Sequence, residues 1–373
     1  MRIETLGVRA FRNLRPATLA LGPGVNFVYG PNGQGKTNLL EVAALLVNGA
    51  SPRTTNLAET VPWGSTLAEI GAVEESYGVR YRVGMRVADS GRSISVDGKT
   101  ARSVPGVAKG CLALTFLPED LAILTGEPSL RRDFLDRTLV LLEPSHAADL
   151  RAYHGALVTR GRLLRDAPAR RVDLDQLLHP YEILLMERGA AIARRRAGLT
   201  AELARTIASA VTELELPTGI ELTYLPNMPE LLDESGEGPG RALARLRDRR
   251  EVDLAQKRTT LGPHRDDLQL AFKGAGVRSY ASRGETRLVM VLLLIAKLRV
   301  VMARLNLTPL IILDDIFSEL DRERRALVIR ALPVDAQVLS SAVERDLHGD
   351  WLAGRDGVKA FRVSAGEVVE GEL

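Results

Sequence analysis

Hydrophobic and polar positions alternate differently in three stretches of the chain. Residues 1–127 carry short alternating runs separated by turn dipeptides such as Tyr77-Gly78 and Asp97-Gly98, which predict strands and an antiparallel meander. Residues 128–259 repeat their apolar positions at helical spacing. Residues 260–373 return to short apolar runs alternating with helical segments. The pattern therefore predicts an α/β domain made from both ends of the chain, with a mostly α-helical lobe inserted between them.

Prolines and turn residues subdivide the last two stretches. Three prolines are expected to break the helical stretch into separate helices, because proline lacks an N–H group; they are Pro144, Pro168 and Pro180. Further expected elements include two helices, Tyr181 to Leu214 and Arg241 to Lys257, and a short strand, Val277 to Ala281.

Composition narrows the class of protein. The 373 residues are 45% hydrophobic and 26% charged, which is enough to bury a substantial core. Aromatic residues make up only 4%, which disfavours a binding surface built on base stacking. The single cysteine, Cys111, excludes an internal disulfide and a cysteine-based metal site. With no apolar signal segment and no apolar run of membrane-spanning length, we expect a cytoplasmic protein with no membrane partner.

A phosphate-binding loop follows the third predicted strand. The segment Gly30-Pro31-Asn32-Gly33-Gln34-Gly35-Lys36-Thr37 is a complete G-x-x-x-x-G-K-T motif between a strand and a helix that continues with Asn38. Glycines let backbone N–H groups surround phosphate oxygens, and the helix start adds a positive dipole end. We expect the loop to bind ATP, with Lys36 on the β- and γ-phosphates and the Thr37 hydroxyl on Mg²⁺.

Two carboxylates follow a buried-type strand late in the chain. The run Leu310–Leu313 is entirely apolar and ends in Asp314 and Asp315, which is a Walker B pattern. A carboxylate at that strand end holds Mg²⁺ beside the phosphate loop, so Asp314 is the predicted metal ligand. Asp315 is the predicted catalytic residue that orients the attacking water.

A serine and a glycine open the helix that precedes Walker B. Ser282 and Gly284 offer a hydroxyl group and free N–H groups to an anion, although the same residues also form an ordinary helix cap. The order of phosphate loop, long insertion, S-x-G-E helix, Walker B and Ser318-Glu319-Leu320-Asp321 is that of ABC-type P-loop ATPases. In that class the signature serine acts on the γ-phosphate held by another subunit.

Several further motifs occur in family order. The chain resembles the RecF family of bacterial recombination mediators, which are relatives of the SMC-type chromosome ATPases. Beside the phosphate loop, the signature and Walker B, the resemblance rests on Phe116-Leu117-Pro118-Glu119-Asp120, Arg131-Arg132-Asp133-Phe134-Leu135-Asp136 and Gly262-Pro263-His264-Arg265-Asp266-Asp267.

The resemblance implies an ATP-gated DNA-binding protein. RecF-like proteins dimerise around ATP and Mg²⁺, hydrolyse ATP slowly, and bind single-stranded or gapped DNA or the junction between single- and double-stranded DNA. They act with RecR and RecO to place RecA on gapped DNA, and they contribute to the SOS response. The expected domains are an ATPase half at 1–127, the helical insertion at 128–259, and a second ATPase half at 260–373.

Some positions depart from the wider ABC pattern. Asp315 stands where many of these ATPases have glutamate, which predicts slow turnover. No glutamine follows Thr115-Phe116, so Glu119 and Asp120 are the available substitutes for a Q-loop residue. Ser340-Ser341 occupies the region where a switch histidine is common.

Other basic residues leave two interpretations open. Arg53 is either a solvated loop residue or lies near nucleotide or DNA, and His264-Arg265 is either a structural turn or part of an interface. Three arginine groups could neutralise DNA phosphates or could simply be solvated: Arg160, Arg162, Arg165, Arg170 and Arg171; Arg194 to Arg196; and Arg241, Arg245, Arg247, Arg249 and Arg250.

Other classes of ATPase remain as alternatives. The chain could be another SMC-like or ABC-type ATPase, including a transporter subunit, or a P-loop kinase. The long helical insertion fits a transporter subunit poorly, and the S-x-G-E helix argues against a kinase.

Overall fold

The computed structural model describes residues 1–166, 174–216, 219–343 and 357–371. The chain divides into two compact units, one made of Met1–Asp120 with Leu305–Leu373 and the other of Leu121–Arg304. Residues 260–304 therefore pack with the helical unit, although they were expected in the C-terminal ATPase half. Their functional assignment to the ATPase stays a prediction.

The first unit contains twelve strands and two helices of ten residues or more among its described residues. They are β1 (Arg2–Ala10), β2 (Ala17–Ala20), β3 (Val25–Tyr29), α1 (Lys36–Asn48), β4 (Ala68–Ser76), β5 (Val79–Ala88), β6 (Gly91–Val96), β7 (Lys99–Ala101), β8 (Ala113–Phe116), β12 (Leu310–Leu313), α10 (Arg322–Ala331), β13 (Val338–Ala342), β14 (Lys359–Ser364) and β15 (Glu367–Gly371).

The second unit is mostly helical. Its elements are α2 (Ala122–Thr125), α3 (Pro128–Leu142), α4 (Pro144–Asp166), α5 (Leu174–Glu213), β9 (Ile220–Leu225), α6 (Gly238–Asp248), α7 (Arg250–Gln256), β10 (Asp267–Phe272), β11 (Ala275–Gly276), α8 (Val277–Tyr280) and α9 (Arg283–Leu305).

An antiparallel sheet of order β2-β1-β4-β5-β6-β7 forms one layer of the first unit. Both residues of the turns Tyr77-Gly78 and Asp97-Gly98 have positive φ, which is the geometry of two-residue hairpin turns. These turns join β4 to β5 and β6 to β7, so the predicted meander is confirmed.

A second sheet carries the phosphate loop. Its order is β15-β14-β3-β13-β12-β8, and β3, β13, β12, β8 and β14 run parallel. The helix α1 lies between the two sheets, and nine consecutive residues, Leu39 to Val47, are buried. A helix that is apolar nearly all round is stable only in such a position, where both sheets cover it. The ends of β3 and β12 are therefore fixed against the same core.

The helical unit corrects four sequence-based expectations. The helix expected from Tyr181 to Leu214 is α5, which begins earlier, at Leu174. Pro180 lies inside α5 rather than ending a helix, because Leu178 and Leu185 on either side are fully buried and their packing outweighs the lost hydrogen bond. The segment Val277 to Ala281, expected to be a strand, is instead the single helical turn α8, in which Val277 is buried. Pro144 does begin a helix as expected, and Pro168 lies outside the described residues.

The expected helix from Arg241 to Lys257 is two helices, α6 and α7, which meet at Arg249. The break allows α7 to turn Asp253 into the interior, where its carboxylate accepts a hydrogen bond from the Arg160 guanidinium. The strands β7, β11 and β15 were not predicted from the sequence; β7 and β11 have only three and two residues.

Candidate phosphate and magnesium site

The phosphate loop has the backbone geometry that its glycines permit. Gly30, Gly33 and Gly35 have φ of 148°, 76° and 118°, which other residues rarely adopt. A Cβ atom on Gly30 would lie 2.2 Å from the backbone oxygen of Val363, whereas one on Gly33 would meet nothing within 4 Å. No side chain caps the start of α1, so the first backbone N–H groups of the helix remain available to an anion.

Lys36 is folded back onto the loop. Its Nζ donates hydrogen bonds to the backbone oxygens of Gly30 at 2.6 Å and Pro31 at 3.0 Å, and the residue is only 6% exposed. Burial lowers the pKa of Lys36, and the charges of Asp315 and Asp314 oppose that effect. The ammonium group is therefore held at the loop by polar contacts that phosphate oxygens can replace.

The Walker B carboxylate lies directly beside the loop. Asp314 Oδ1 accepts hydrogen bonds from Thr37 Oγ1 at 3.1 Å and from Ser341 Oγ at 2.6 Å. Burial raises the pKa of Asp314, and these two hydrogen bonds counteract the rise. Mg²⁺ prefers oxygen ligands such as a hydroxyl and a carboxylate. Thr37 and Asp314 therefore fit the ion expected here.

Asp315 has a different environment from its neighbour. Its backbone adopts a left-handed conformation with φ of 49°, and its N–H donates to Ser341 Oγ at 3.0 Å. Its carboxylate accepts a hydrogen bond from the Ser318 hydroxyl. Ser341 therefore links the two acids, a role that the sequence did not indicate because β13 and β12 become neighbours only through the sheet.

A buried carboxylate organises the first turns of α1. Glu41 is 1% exposed and accepts two hydrogen bonds from the Arg12 guanidinium, at 2.7 and 2.9 Å, and one from Ser51 Oγ at 2.6 Å. Arg53 bonds both Glu41 Oε2 and Asn38 Oδ1. Arg53 is thus hydrogen-bonded to the start of α1 while it remains exposed to solvent. The one acidic residue within the apolar run of α1 was the available signal for this network.

Two of the predicted loop residues contact neighbouring segments. Asn38 Nδ2 donates to Asn13 Oδ1 at 2.7 Å, and Asn13 Nδ2 donates to the Gly33 oxygen at 3.3 Å. Gln34 Oε1 accepts from the Ala365 N–H at 2.6 Å, at the turn between β14 and β15. Asn13 and the C-terminal hairpin therefore hold the loop from outside, and Asn32 remains exposed at its crown.

The residues considered as Q-loop substitutes lie at the end of β8. Asp120 Oδ2 accepts the N–H of Leu117 at 2.9 Å, which stabilises the turn after the strand. Burial and the charge of Asp315 raise the pKa of Asp314, and the charge of Glu119 makes a smaller contribution in the same direction.

The signature residues lie in the second unit. Ser282 Oγ accepts the N–H of Glu285 at 3.2 Å, while Glu285 Oε2 accepts the N–H of Ser282 at 2.8 Å. This reciprocal pair is a capping box that starts α9, and Gly284 lies in the first turn. Ser282 is nevertheless exposed, so its hydroxyl group can be reached from outside the chain.

The G-P-H-R-D-D segment is part of a buried polar network. His264 Nδ1 is 2.7 Å from the Tyr153 hydroxyl, and burial lowers the pKa of His264 to about 4. Asp266 accepts hydrogen bonds from Tyr224 and from the backbone of Asn227. His264 is therefore a structural residue of the helical unit, whereas Arg265 beside it is exposed.

The arginine groups separate into paired and unpaired members. Arg160 and Arg196 are buried against carboxylates. Arg194 binds the backbone carbonyls of Leu231 and Asp233, and Arg247 binds His179. The other paired members bind acids; they are Arg195, Arg241, Arg245 and Arg250. Among the described residues, Arg162, Arg165 and Arg249 are exposed and have no acidic partner. Arg170 and Arg171 lie outside the described residues.

The sequence matches the family described as RecF/RecN/SMC N terminal domain over residues 2–348. The DNA replication and repair protein RecF of Anaeromyxobacter sp. (strain Fw109-5) is 34% identical over 358 residues, 93% of this chain and 94% of that protein. The RecF protein of Heliobacterium modesticaldum is 32% identical, with 99% of each chain covered. The chain belongs to the RecF family.

Solved structures agree with this membership of the RecF family. A structure of the recombination mediator protein RecF with ATPrS in the RecFOR pathway matches with a TM-score of 0.88 and 26% identity, covering 100% of this chain and 98% of that one. An SMC head bound to the C-winged helix domain of ScpA matches with a TM-score of 0.53 and 14% identity, which shows the shared fold. The ABC-type ATPase architecture predicted from the sequence is therefore confirmed. No helix among the described residues is long and apolar enough to span a membrane.

Proposed function

We propose that this chain is an ATP-gated DNA-binding protein of recombinational repair and replication. The observation that carries the proposal is the contact between Thr37 Oγ1 and Asp314 Oδ1, which joins the phosphate loop to the Walker B strand across 277 residues of sequence. Membership of the RecF family and the likeness to RecF bound to ATP support the same nucleotide.

Each residue of the site has a distinct proposed role. The loop from Gly30 to Thr37, followed by Asn38, holds the phosphates, and Lys36 exchanges its carbonyl contacts for the β- and γ-phosphate oxygens. Thr37 and Asp314 hold Mg²⁺, which neutralises charge on the phosphates when bound. Asp315 orients the attacking water. Its side chain is shorter than glutamate and already bonds Ser318, so we expect slow hydrolysis.

The proposed dimer uses Ser282 and Gly284. The exposed Ser282 hydroxyl and the start of α9 would meet the γ-phosphate held by a second copy, so that two nucleotides are enclosed across a two-fold axis. ATP then stabilises the dimer because it binds the dimer better than the monomer, and hydrolysis releases it. Gapped DNA, single-stranded DNA or their junction is bound by the dimer, which acts with RecR and RecO to load RecA.

Sedimentation velocity with and without ATP, in the presence and absence of gapped DNA, tests this function. We expect monomers without nucleotide, dimers with ATP, and tighter DNA binding by the dimer. Ser282→Arg should retain ATP binding but fail to dimerise. Ser282→Arg also removes one of the two hydrogen bonds of the capping box, the one that Ser282 Oγ accepts. Glu285→Ala is the matched control, because it removes the other bond of the box and keeps the serine, and it should still dimerise. A Ser282→Arg protein that dimerises with ATP contradicts the proposed role of the signature.

A further inference from the structure

Three glycines, flanked by a threonine and a serine, form a row across the outward face of the antiparallel sheet. Gly7 of β1 pairs with Gly71 of β4, and Gly71 pairs with Gly84 of β5. Thr18 of β2 and Ser95 of β6 continue the row on either side. Since strands lie about 4.8 Å apart, the row is roughly 19 Å long and runs across five strands.

The fold leaves room for a side chain at Gly7, whereas a Cβ atom at Gly71 or Gly84 would be tightly placed. None of the three has a positive φ. A Cβ atom on Gly7 would have its nearest neighbour at 3.6 Å, and one on Gly71 at 3.3 Å. On Gly84 it would approach only the movable Ser95 hydroxyl, at 2.7 Å. Glycine within a strand costs about 0.5–1 kcal/mol relative to alanine, so three in register point to something outside the chain that approaches the backbone closely.

The row is the floor of an open groove of about 440 Å³. One wall consists of Thr5, Val73 and Arg82. These residues are paired with one another and lie two positions from the row on β1, β4 and β5. Arg9 and Glu69 form the other wall, and Arg86 pairs with Glu69 beside it. We call this groove, with its floor of Gly7, Gly71 and Gly84, the glycine trough.

The walls of the glycine trough are cationic. Arg9 and Arg86 share one carboxylate, that of Glu69, and their side chains are 79% and 63% exposed. The exposed Arg82 guanidinium has no acidic partner among the described residues. Hydroxyl groups of Thr5, Thr18 and Ser95 complete the lining. Arginines with hydroxyl side chains and no aromatic platform are the combination that contacts phosphates rather than bases.

We propose that the glycine trough holds a phosphodiester backbone of DNA, with Arg9, Arg82 and Arg86 neutralising its phosphates. The proposal rests on the DNA-binding function proposed above and adds the surface that performs it. The bare floor lets the backbone lie between the two walls. The trough is about 19 Å long, which is enough for several consecutive phosphates of one strand to lie between the arginines.

Filling the floor tests the trough without removing any charge. Gly7→Thr places a β-branched side chain in space that the fold leaves open, so thermal stability should be kept or raised. Affinity of the full chain with ATP and Mg²⁺ for a labelled gapped duplex, measured by fluorescence anisotropy, should fall at least tenfold. Gly155→Ala is the control, because a Cβ atom there meets nothing within 4 Å and the residue lies on α4 in the other unit.

Removing one wall cation tests the phosphate contact. Arg82→Ala should reduce the slope of log K against log salt by about 0.9, as expected for one lost phosphate contact. Arg330→Ala removes an equal charge from an exposed position on α10 and should leave the slope unchanged.

The outcomes separate the two proposals. If the parent protein binds no DNA, the proposed function fails. If the parent binds DNA and a folded Gly7→Thr binds it equally well, the glycine trough is overturned while the function stands. An unchanged salt slope in Arg82→Ala likewise overturns the phosphate contact. Loss of poly-L-glutamate binding by Gly7→Thr with intact DNA binding would assign the trough to an acidic polypeptide instead.

Discussion

Replacing Arg160 with alanine should destabilise the helical unit strongly. Arg160 is fully buried, and its guanidinium donates to Glu182 Oε1 at 3.1 and 3.2 Å and to Asp253 Oδ2 at 2.6 Å. It also bonds Thr259 Oγ1 at 2.9 Å. Glu182 and Asp253 are both 0% exposed, so the substitution leaves two carboxylates without this partner in the interior.

The size of the stability loss depends on the hydrogen-bond partners that each carboxylate retains. Glu182 still has Arg250, whereas the Asp253 carboxylate keeps, among the described residues, the hydrogen bonds from the N–H and hydroxyl of Thr260. Removing one partner of a buried pair costs about 3–5 kcal/mol, and the remaining donors favour the lower end. For a unit of this size, about 3 kcal/mol lowers the melting temperature by roughly 6–12 °C.

Thermal and urea unfolding followed by circular dichroism measure this loss. Arg162→Ala is the matched control, because it removes the same side chain two residues further along α4 from an exposed position, where about 0.5 kcal/mol or less is expected. Arg160→Met combined with Asp253→Asn should recover much of the loss, since asparagine can still accept from Thr260 and no unpaired charge remains.

Equal stability of Arg160→Ala and Arg162→Ala would refute this reasoning. It would mean that water or local rearrangement solvates the two carboxylates when Arg160 is absent.

Three further expectations concern the first unit. Lys36→Ala should abolish ATP binding in equilibrium measurements, because the loop loses its cation; unchanged affinity would contradict the site. Asp314→Asn should weaken Mg²⁺-dependent binding, whereas Asp315→Asn should bind ATP but hydrolyse it more slowly; parental rates in both would exclude these roles. Burial raises the pKa of Glu74 from 4.5 to about 7. The folded state therefore retains a proton that the unfolded chain releases, so stability should fall between about pH 4.5 and 7, and Glu74→Gln should flatten that profile in urea unfolding.

Local features of the sequence were sufficient for the phosphate loop and the order of the ATPase motifs. Glycines at Gly30, Gly33 and Gly35 specify positive φ at a fixed spacing, and that requirement is met within eight consecutive residues. The apolar run before Asp314 predicts a strand buried on both faces, because all four of its consecutive residues are apolar. Such signals can be identified from sequence because the interactions that they report are close along the chain.

Tertiary structure alone decided which polar groups meet. Ser341 reaches Asp314 because β13 lies beside β12, and Arg160 is buried because α7 turns Asp253 toward it. The glycine trough likewise depends on the register of five strands. Residue type indicates that an arginine carries charge, but burial and pairing across tens to hundreds of residues determine whether that charge holds the fold together or faces solvent, where DNA can reach it.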